Sequence, residues 1–331
     1  MISRTRKIAD FEVHAMGLGC MNYAFGYNTV SEADAKALLK KSVTTECNFY
    51  DTAYLYGNGV SEKILGETLK DHRKNIFIAS KCGLDSSGID GRPETLNAQC
   101  DTSLERLQTD VIDLYYLHRA DPKVPIEESV GALKRLVDAG KIRAIGVSET
   151  SSANLARAIA ETPIAAVQSE YSLWSRTPEF GILDLCEQHG TTFVPFCPLG
   201  RGFLAGSAKE ISDLPESDLR CTIAHPRFEG DNYKANCELL AKFGEIAADN
   251  QCTTGQLALA WLLHRGSQTM VPIPGTTNIE HFMENMQAVE VELDEATLTA
   301  MDELINEDTV AGTRYNESRM ADQDSERDRP S

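Results

Sequence analysis

The stretch FYDTAYLYGNG, residues 49–59, sets Asp51 at the end of a short apolar run and Tyr56 just ahead of a cluster of turn residues. Lys81 directly follows the apolar run IFIAS, and His118 directly follows IDLYYL. A lysine in such a place is expensive to bury alone and requires an anion. Asp51, one strand away, is the available one. An ammonium close to a tyrosine favours the phenolate and lowers the phenol's pKa from its ordinary value of about 10, which would make Tyr56 a proton donor and acceptor near neutrality. His118 suits a different task, hydrogen bonding a substrate carbonyl so that it is oriented and its C=O bond polarised. Taken singly, each residue has an ordinary structural reading: a rim ion pair, a core histidine, a turn tyrosine. Together they place four side chains suited to hydrogen transfer at the same end of three consecutive strands. Ser148, Glu149, Gln168, Ser169 and Glu170 extend that polar ring along the next two.

The elements that must position these residues alternate. Short β-branched or aromatic runs recur, each followed by a stretch with helical periodicity, the mark of parallel βαβ units. Eight candidate strands are legible: MGLGCM near 16, CNFYDT at 47, IFIASK at 76, IDLYYLH at 112, IRAIGVS at 142, IAAVQSE at 164, TTFVPFCPL at 191 and TMVPIPG at 269. Helices are expected over SEADAKALLKKSVT, with Ser31 as N-cap, and over SEKILGETLKD, PETLNAQCDTSLERL, PIEESVGALKRLVDAGK, SANLARAIAE and PEFGILDLCEQHG. Eight parallel strands close into a (β/α)8 TIM barrel, whose typical length of about 250 residues plus insertions suits the chain better than an open sheet with a second domain. The expectation is one α/β domain over residues 1–331. A hairpin at residues 5–14 would plug the bottom, and a long loop with a helix would follow strand seven at about 200–250. The polar tail, about 310–331, is expected to be disordered over at least its last ten residues. In such a barrel chemistry sits at the carboxyl ends of the strands, where the polar residues gather.

Composition narrows the partners. The chain has 331 residues, 42% of them hydrophobic, and a formal net charge of −18, which disfavours attachment to nucleic acid or an anionic membrane and favours a small-molecule partner. No apolar run approaches a membrane span, and the start MISRTRKIADFEVHAMG has no signal-like apolar core, so a cytoplasmic protein is expected. The nine cysteines form no C-x-x-C pair, and no metal site is expected. Cys82 beside Lys81 reads as packing, with a lowered thiol pKa as the alternative. GLGCMN has two glycines of a dinucleotide fingerprint without the rest, and Walker A, H-E-x-x-H and G-x-S-x-G patterns do not occur.

The motifs YDTAYLYGNGVSEKILG, ASKCG, YYLHRAD, IGVSE, VQSEYSLW, FVPFCPLGRGFLAG, HPRFEGDN and PIPGTTNIEHFMEN resemble, in order and spacing, those of the aldo-keto reductases, particularly bacterial members and the related potassium-channel β subunits. The resemblance runs from about Gly17 to Asn306. It implies a catalytic tetrad of Asp51, Tyr56, Lys81 and His118, with Tyr56 as general acid, and a nicotinamide dinucleotide lying across the barrel mouth. Ser148 and Gln168 would hold its carboxamide, Phe196 would stack on the nicotinamide, Leu199, Gly200 and Arg201 would meet the pyrophosphate, and Pro198 would also touch the cofactor. Thr276, Thr277 and His281 would be weaker contacts to the 2′-phosphate, Gly275 would also touch the cofactor, and Glu284 and Asn285 would hold the adenine. Relatives that prefer the 2′-phosphate usually carry a lysine or arginine after the GT and an arginine four residues before the final asparagine. This chain has Thr277, Asn278 and His281 there, so NADP is favoured by family habit and NAD stays open. Tyr23, Tyr54, Trp174 and Phe203 are expected to wall a pocket for a carbonyl or alcohol substrate. The implied activity is hydride transfer between NAD(P)(H) and an aldehyde, ketone or alcohol. A cofactor-occupied sensor with vestigial chemistry is the alternative, and monomer and homo-oligomer are both compatible with the sequence.

Overall fold

The computed structural model describes residues 2–24, 26–27, 30–207, 211–265 and 269–329. Strands β1 (Thr5–Ile8) and β2 (Phe11–His14) form an antiparallel hairpin. Seven parallel strands follow: β3 (Leu18–Gly19), β4 (Phe49–Asp51), β5 (Phe77–Cys82), then, after the short hairpin β6 (Leu84–Asp85) and β7 (Gly88–Ile89), β8 (Ile112–Leu117), β9 (Ile142–Ser148), β10 (Ala166–Glu170) and β11 (Thr192–Phe196). They pair in the order β11-β10-β9-β8-β5-β4-β3.

The eighth candidate strand closes the cylinder without forming a full ladder. Val271 and Ile273 donate their N–H groups to Phe193 and Pro195 of β11, and Gly17 and Gly19 donate to the carbonyls of Pro272 and Pro274. On the β3 side two of the return bonds would have to come from residues 272 and 274, which are prolines and have no N–H to give, and a single bridge joins Gly19 and Gly275. VPIPG therefore seals the barrel with fewer than the usual bonds on that side. The structure is a (β/α)8 barrel whose last stave is prolyl.

Strand parity builds the interior. Phe49, Phe77, Ala79, Leu114, Tyr116, Ala144, Ala166, Val194, Val271 and Ile273 fill the cylinder, and Ile8 and Val13 of the β1–β2 hairpin join them from below. The alternate residues Tyr50, Ile78, Tyr115, Ile145, Val147, Val167 and Phe193 face the helical layer. Gly146 lies among the inward positions, and a Cβ there would meet the Tyr116 ring at 2.3 Å. Ser31 caps the first helix, accepting from Asp34 N at 3.1 Å, and Pro93 opens the helix Pro93–Leu107. After β11 the long insertion carries short turns and the helix Gly230–Asp249.

The tail departs from the expectation of disorder. It is described to Arg329, and charge is what orders it. Asp324 accepts from Ser151 N at 2.8 Å and from Asn154 Nδ2 at 2.8 Å, and Asp328 accepts from Ser152 N at 2.8 Å. The two acids thus cap the N-terminus of the helix Ser152–Glu161. Arg314, fully buried, pairs with Glu149 at 2.6 Å, Glu326 at 2.6 Å and Glu170 at 3.5 Å. Burial alone would raise the Glu149 carboxyl, but Arg314 and then Arg119 hold it down to about 2. Its stabilising effect is therefore complete above its ordinary value of 4.5 and is lost as the pH falls toward about 2. Replacing Arg314 by Met strands the buried Glu149 carboxylate, while Glu170 keeps Arg201 and Glu326 keeps Arg329, and about 3–5 kcal/mol of unfolding free energy should be lost at neutral pH. Denaturant titration measures it, and a loss under about 1 kcal/mol, the range of an exposed pair, would remove the clamp from the stability of the fold.

Candidate active site

Inward parity continues to the carboxyl rim of the barrel. The last inward positions are Asp51, Lys81, His118, Ser148, Gln168, Phe196 and Gly275, and all but Lys81 line one cleft of about 830 Å³. Lys81 lies fully buried just beneath it. Its Nζ pairs with Asp51 Oδ1 and donates to Thr52 O at 2.7 Å and to Tyr56 Oη at 3.3 Å. Because the ammonium donates to the phenol oxygen, the phenol's own hydrogen is left to face the cleft, which Tyr56 also lines. The Tyr56 and His118 rings meet edge to face, with centroids 5.9 Å apart.

The turn that delivers Tyr56 is set by its sequence. Gly57, Asn58 and Gly59 take φ of 58°, 52° and 92°, a run of left-handed residues that only glycine and asparagine occupy at low cost. The loop stays tied to β5, with Thr52 N donating to Ala79 O at 2.9 Å and Tyr54 N to Lys81 O at 3.1 Å.

Burial and charge set the protonation states. Burial pushes the Tyr56 hydroxyl above its ordinary value of 10, outweighing the lowering by Lys81. Burial thus works against the expected tuning of the phenol toward neutrality, and Tyr56 keeps its hydroxyl proton near pH 7. Burial would lower Lys81, but Asp51 and Tyr56 together raise it above 10.5, so the ammonium keeps its charge. His118 is pushed well below 6.5, first by burial and then by Arg119 and Lys81, so its imidazole is neutral near pH 7. Its Nδ1 is buried with no hydrogen-bond partner among the described residues.

Other expected residues are distributed unevenly. Ser148, Gln168, Phe196, Pro198, Leu199, Arg201, Gly275, Thr276, Thr277 and His281 line the cleft. Gln168 has a further bond not read from the sequence, donating from Nε2 to Asp51 Oδ2 at 2.7 Å. Arg201 turns its guanidinium away, into an ion pair with Glu170 at 2.7 Å and over the Tyr315 ring. The Glu170 carboxylate is buried and requires that cation. Gly200 packs under Trp174 and its N–H goes to Cys197 O. Glu284 and Asn285 do not line the cleft: Glu284 accepts from Thr253 Oγ1 at 2.6 Å, and Asn285 is buried.

The four aromatic residues expected as pocket walls are not on the cleft. Tyr23 is buried in the core. Trp174 and Phe203 stack on each other there, centroids 4.2 Å apart. Tyr54 faces a separate shallow depression and carries Arg106 on its ring. The walls come instead from Leu55, from Leu84 and Ile89 of the β6–β7 hairpin, from Leu219 and Ile223 of the insertion, and from Tyr315 of the tail. Cys82 is buried and its thiol pushed far up by burial, so packing is its role. Among the described residues no cluster could hold a metal ion and no helix is long and apolar enough to cross a membrane.

Fold and cleft together define an α/β barrel with a buried Asp–Lys pair behind a tyrosine and a neutral histidine. The Aldo/keto reductase family pattern matches residues 15–306, and the chain belongs to that family. It is 41% identical to "Aldo-keto reductase yakc [NADP(+)]" of Schizosaccharomyces pombe, with 94% of each chain covered, and 42% identical to "Probable aldo-keto reductase 1" of Glycine max, covering 92% and 89%. A glycerol dehydrogenase of Gluconobacter oxydans superposes with a TM-score of 0.83 at 27% identity, over 92% of this chain and 95% of that one. An aldo-keto reductase from Klebsiella pneumoniae solved with NADPH superposes at 0.71 and 26% identity, over 96% and 99%.

With Tyr56 protonated well past neutrality, the reductive kcat/KM should stay level from pH 7 to about pH 9. A stopped-flow pH profile that falls with a midpoint near pH 7 would assign the titration to another group.

Proposed function

We propose that the chain is an oxidoreductase that transfers a hydride between NADP(H) and the carbonyl carbon of an aldehyde or ketone, or its alcohol, with Tyr56 as the acid and base. The observation that carries this is the buried Lys81 ammonium, held by Asp51 and donating to the Tyr56 oxygen at 3.3 Å beside a neutral His118.

The donor set of the cleft suits a dinucleotide. One end offers the Ser148 hydroxyl, the Gln168 amide and the half-buried ring of Phe196, and another offers Thr276, Thr277, Asn278 and His281. Bidentate recognition of a 2′-phosphate by arginine is missing from that second group. NADP is favoured by the printed names of the relative from Schizosaccharomyces pombe and the NADPH complex from Klebsiella pneumoniae. When bound, the nicotinamide supplies or accepts the hydride. His118 orients the carbonyl oxygen toward Tyr56, which gives it the phenolic proton in reduction and takes it back in oxidation. Lys81 compensates the phenolate charge, and Asp51 with Gln168 fixes Lys81 in place.

Tyr56→Phe should lower kcat by about 10²–10⁴, the usual span of a positioned acid, while NADPH still binds. Steady-state assays over an aldehyde panel test this, and multiple turnovers separate an enzyme from a cofactor-retaining sensor. Near wild-type rates in the variant would take Tyr56 out of the mechanism. Phe196→Ala should weaken NADPH binding about threefold to tenfold, the value of one aromatic stack. Fluorescence titration reads the dissociation constant, and an unchanged value rules out stacking.

A further inference from the structure

Three cations at the cleft have a carboxylate partner. Lys81 is matched by Asp51, Arg201 by Glu170 and Arg220 by Asp218. Arg119, which lines the cleft next to His118, is different: its Nη1 donates to His118 O at 2.6 Å and to Ser148 Oγ at 3.3 Å, both neutral acceptors. Among the described residues it forms no ion pair with a carboxylate. Glu149 feels its charge, but the Glu149 oxygens are taken by Arg314 Nη2, Ser325 Oγ and Glu170 N. Asp85 and Asp322 line the cleft from the β6–β7 hairpin and the tail, and Asp85 accepts from Ser87 and Gln99. With His118 neutral and Asp51 matched by Lys81, Arg119 is, among the described residues, a cation at the catalytic end of the cleft without a carboxylate ion-pair partner.

We propose that Arg119 is an anion-binding group of the substrate subsite, so that carbonyl compounds carrying a carboxylate are preferred to their neutral counterparts; this rests on the reductase reading above. Two features support it. The guanidinium is half-buried, where a charge-assisted bond is worth more than in water, and Nη2 and Nε remain for a planar carboxylate once Nη1 has met its neutral acceptors. The charge also acts at the reacting groups, because Arg119 lowers the pKa of both Tyr56 and His118. The apolar walls at Leu55, Leu84 and Ile89 leave room for an organic body beside the charged group.

The test compares ortho-, meta- and para-carboxybenzaldehyde with their methyl esters, using NADPH and the full chain. At least one acid should exceed its ester in kcat/KM by about tenfold or more, the worth of a charge-assisted hydrogen bond. Arg119→Met should bring that ratio close to one, and Arg119→Lys should keep part of it. No preference for any acid in the wild type, or a ratio unchanged in Arg119→Met, overturns the proposal. So does a loss confined to NADPH affinity with the ratio preserved, which would assign Arg119 to the dinucleotide. If no aldehyde turns over, the reductase reading fails, and binding to the NADP-loaded protein decides this inference on its own. Benzoate held at least tenfold more tightly than benzamide, with the difference gone in Arg119→Met, supports it; equal binding overturns it.

Discussion

A lysine with no solvent exposure, inside a cylinder otherwise filled by aromatic and aliphatic side chains, is the constraint around which this molecule is arranged. An ammonium there is tolerable only if its charge and all three of its hydrogens are met at once. Lys81 meets them with Asp51, the Thr52 carbonyl and the Tyr56 hydroxyl, which come from β4 and the loop that follows it. The other Asp51 oxygen is held from across the barrel by Gln168 on β10. Tyr56 is thus placed as a by-product of solvating the lysine, and any slip in strand register would expose or orphan the charge.

The strand-end residues were legible because parity forces them to one place. Once IFIASK and IDLYYLH are read as barrel strands, Lys81 and His118 can only lie at the mouth. The prolyl eighth stave was visible as a run but not as a ladder. The helix Thr254–Arg265 was hidden because Leu257 through Leu263 are all buried, which removes the period that marks an amphipathic helix. The pocket walls were misjudged for a related reason. Aromatic residues such as Trp174 and Phe203 fit a core as well as they fit a binding surface, and the apolar contacts that do form the cleft come from a β6–β7 hairpin and a tail with no aromatic or periodic signal apart from Tyr315.

The tail shows how composition alone can mislead. GTRYNESRMADQDSERDRPS has the mixed charge of a chain with no core to join, yet each of its anchoring charges has a buried or capping partner on the barrel rim. Order here comes from specific pairing and not from apolar burial, and pairing between residues 149 and 314 cannot be seen in a local window. Arg314 and Tyr315 bring the tail to the cleft, where Tyr315 stacks against both Arg201 and Arg314. Three segments distant in sequence therefore share one rigid rim.

The prolines at 272 and 274 also give the cylinder a preferred line of parting. Where one side of a seam is short of amide protons, fewer backbone bonds hold it than hold the long ladders such as β5–β8 and β8–β9, so this is a joint where opening costs less. Gly275, Thr276 and Thr277 continue directly from it into the cleft. Any molecule that engages those residues only when the seam is shut will, by mass action, hold the two staves together. Occupancy of the cleft and integrity of the cylinder are linked through a joint that cannot be fully zipped by its own backbone.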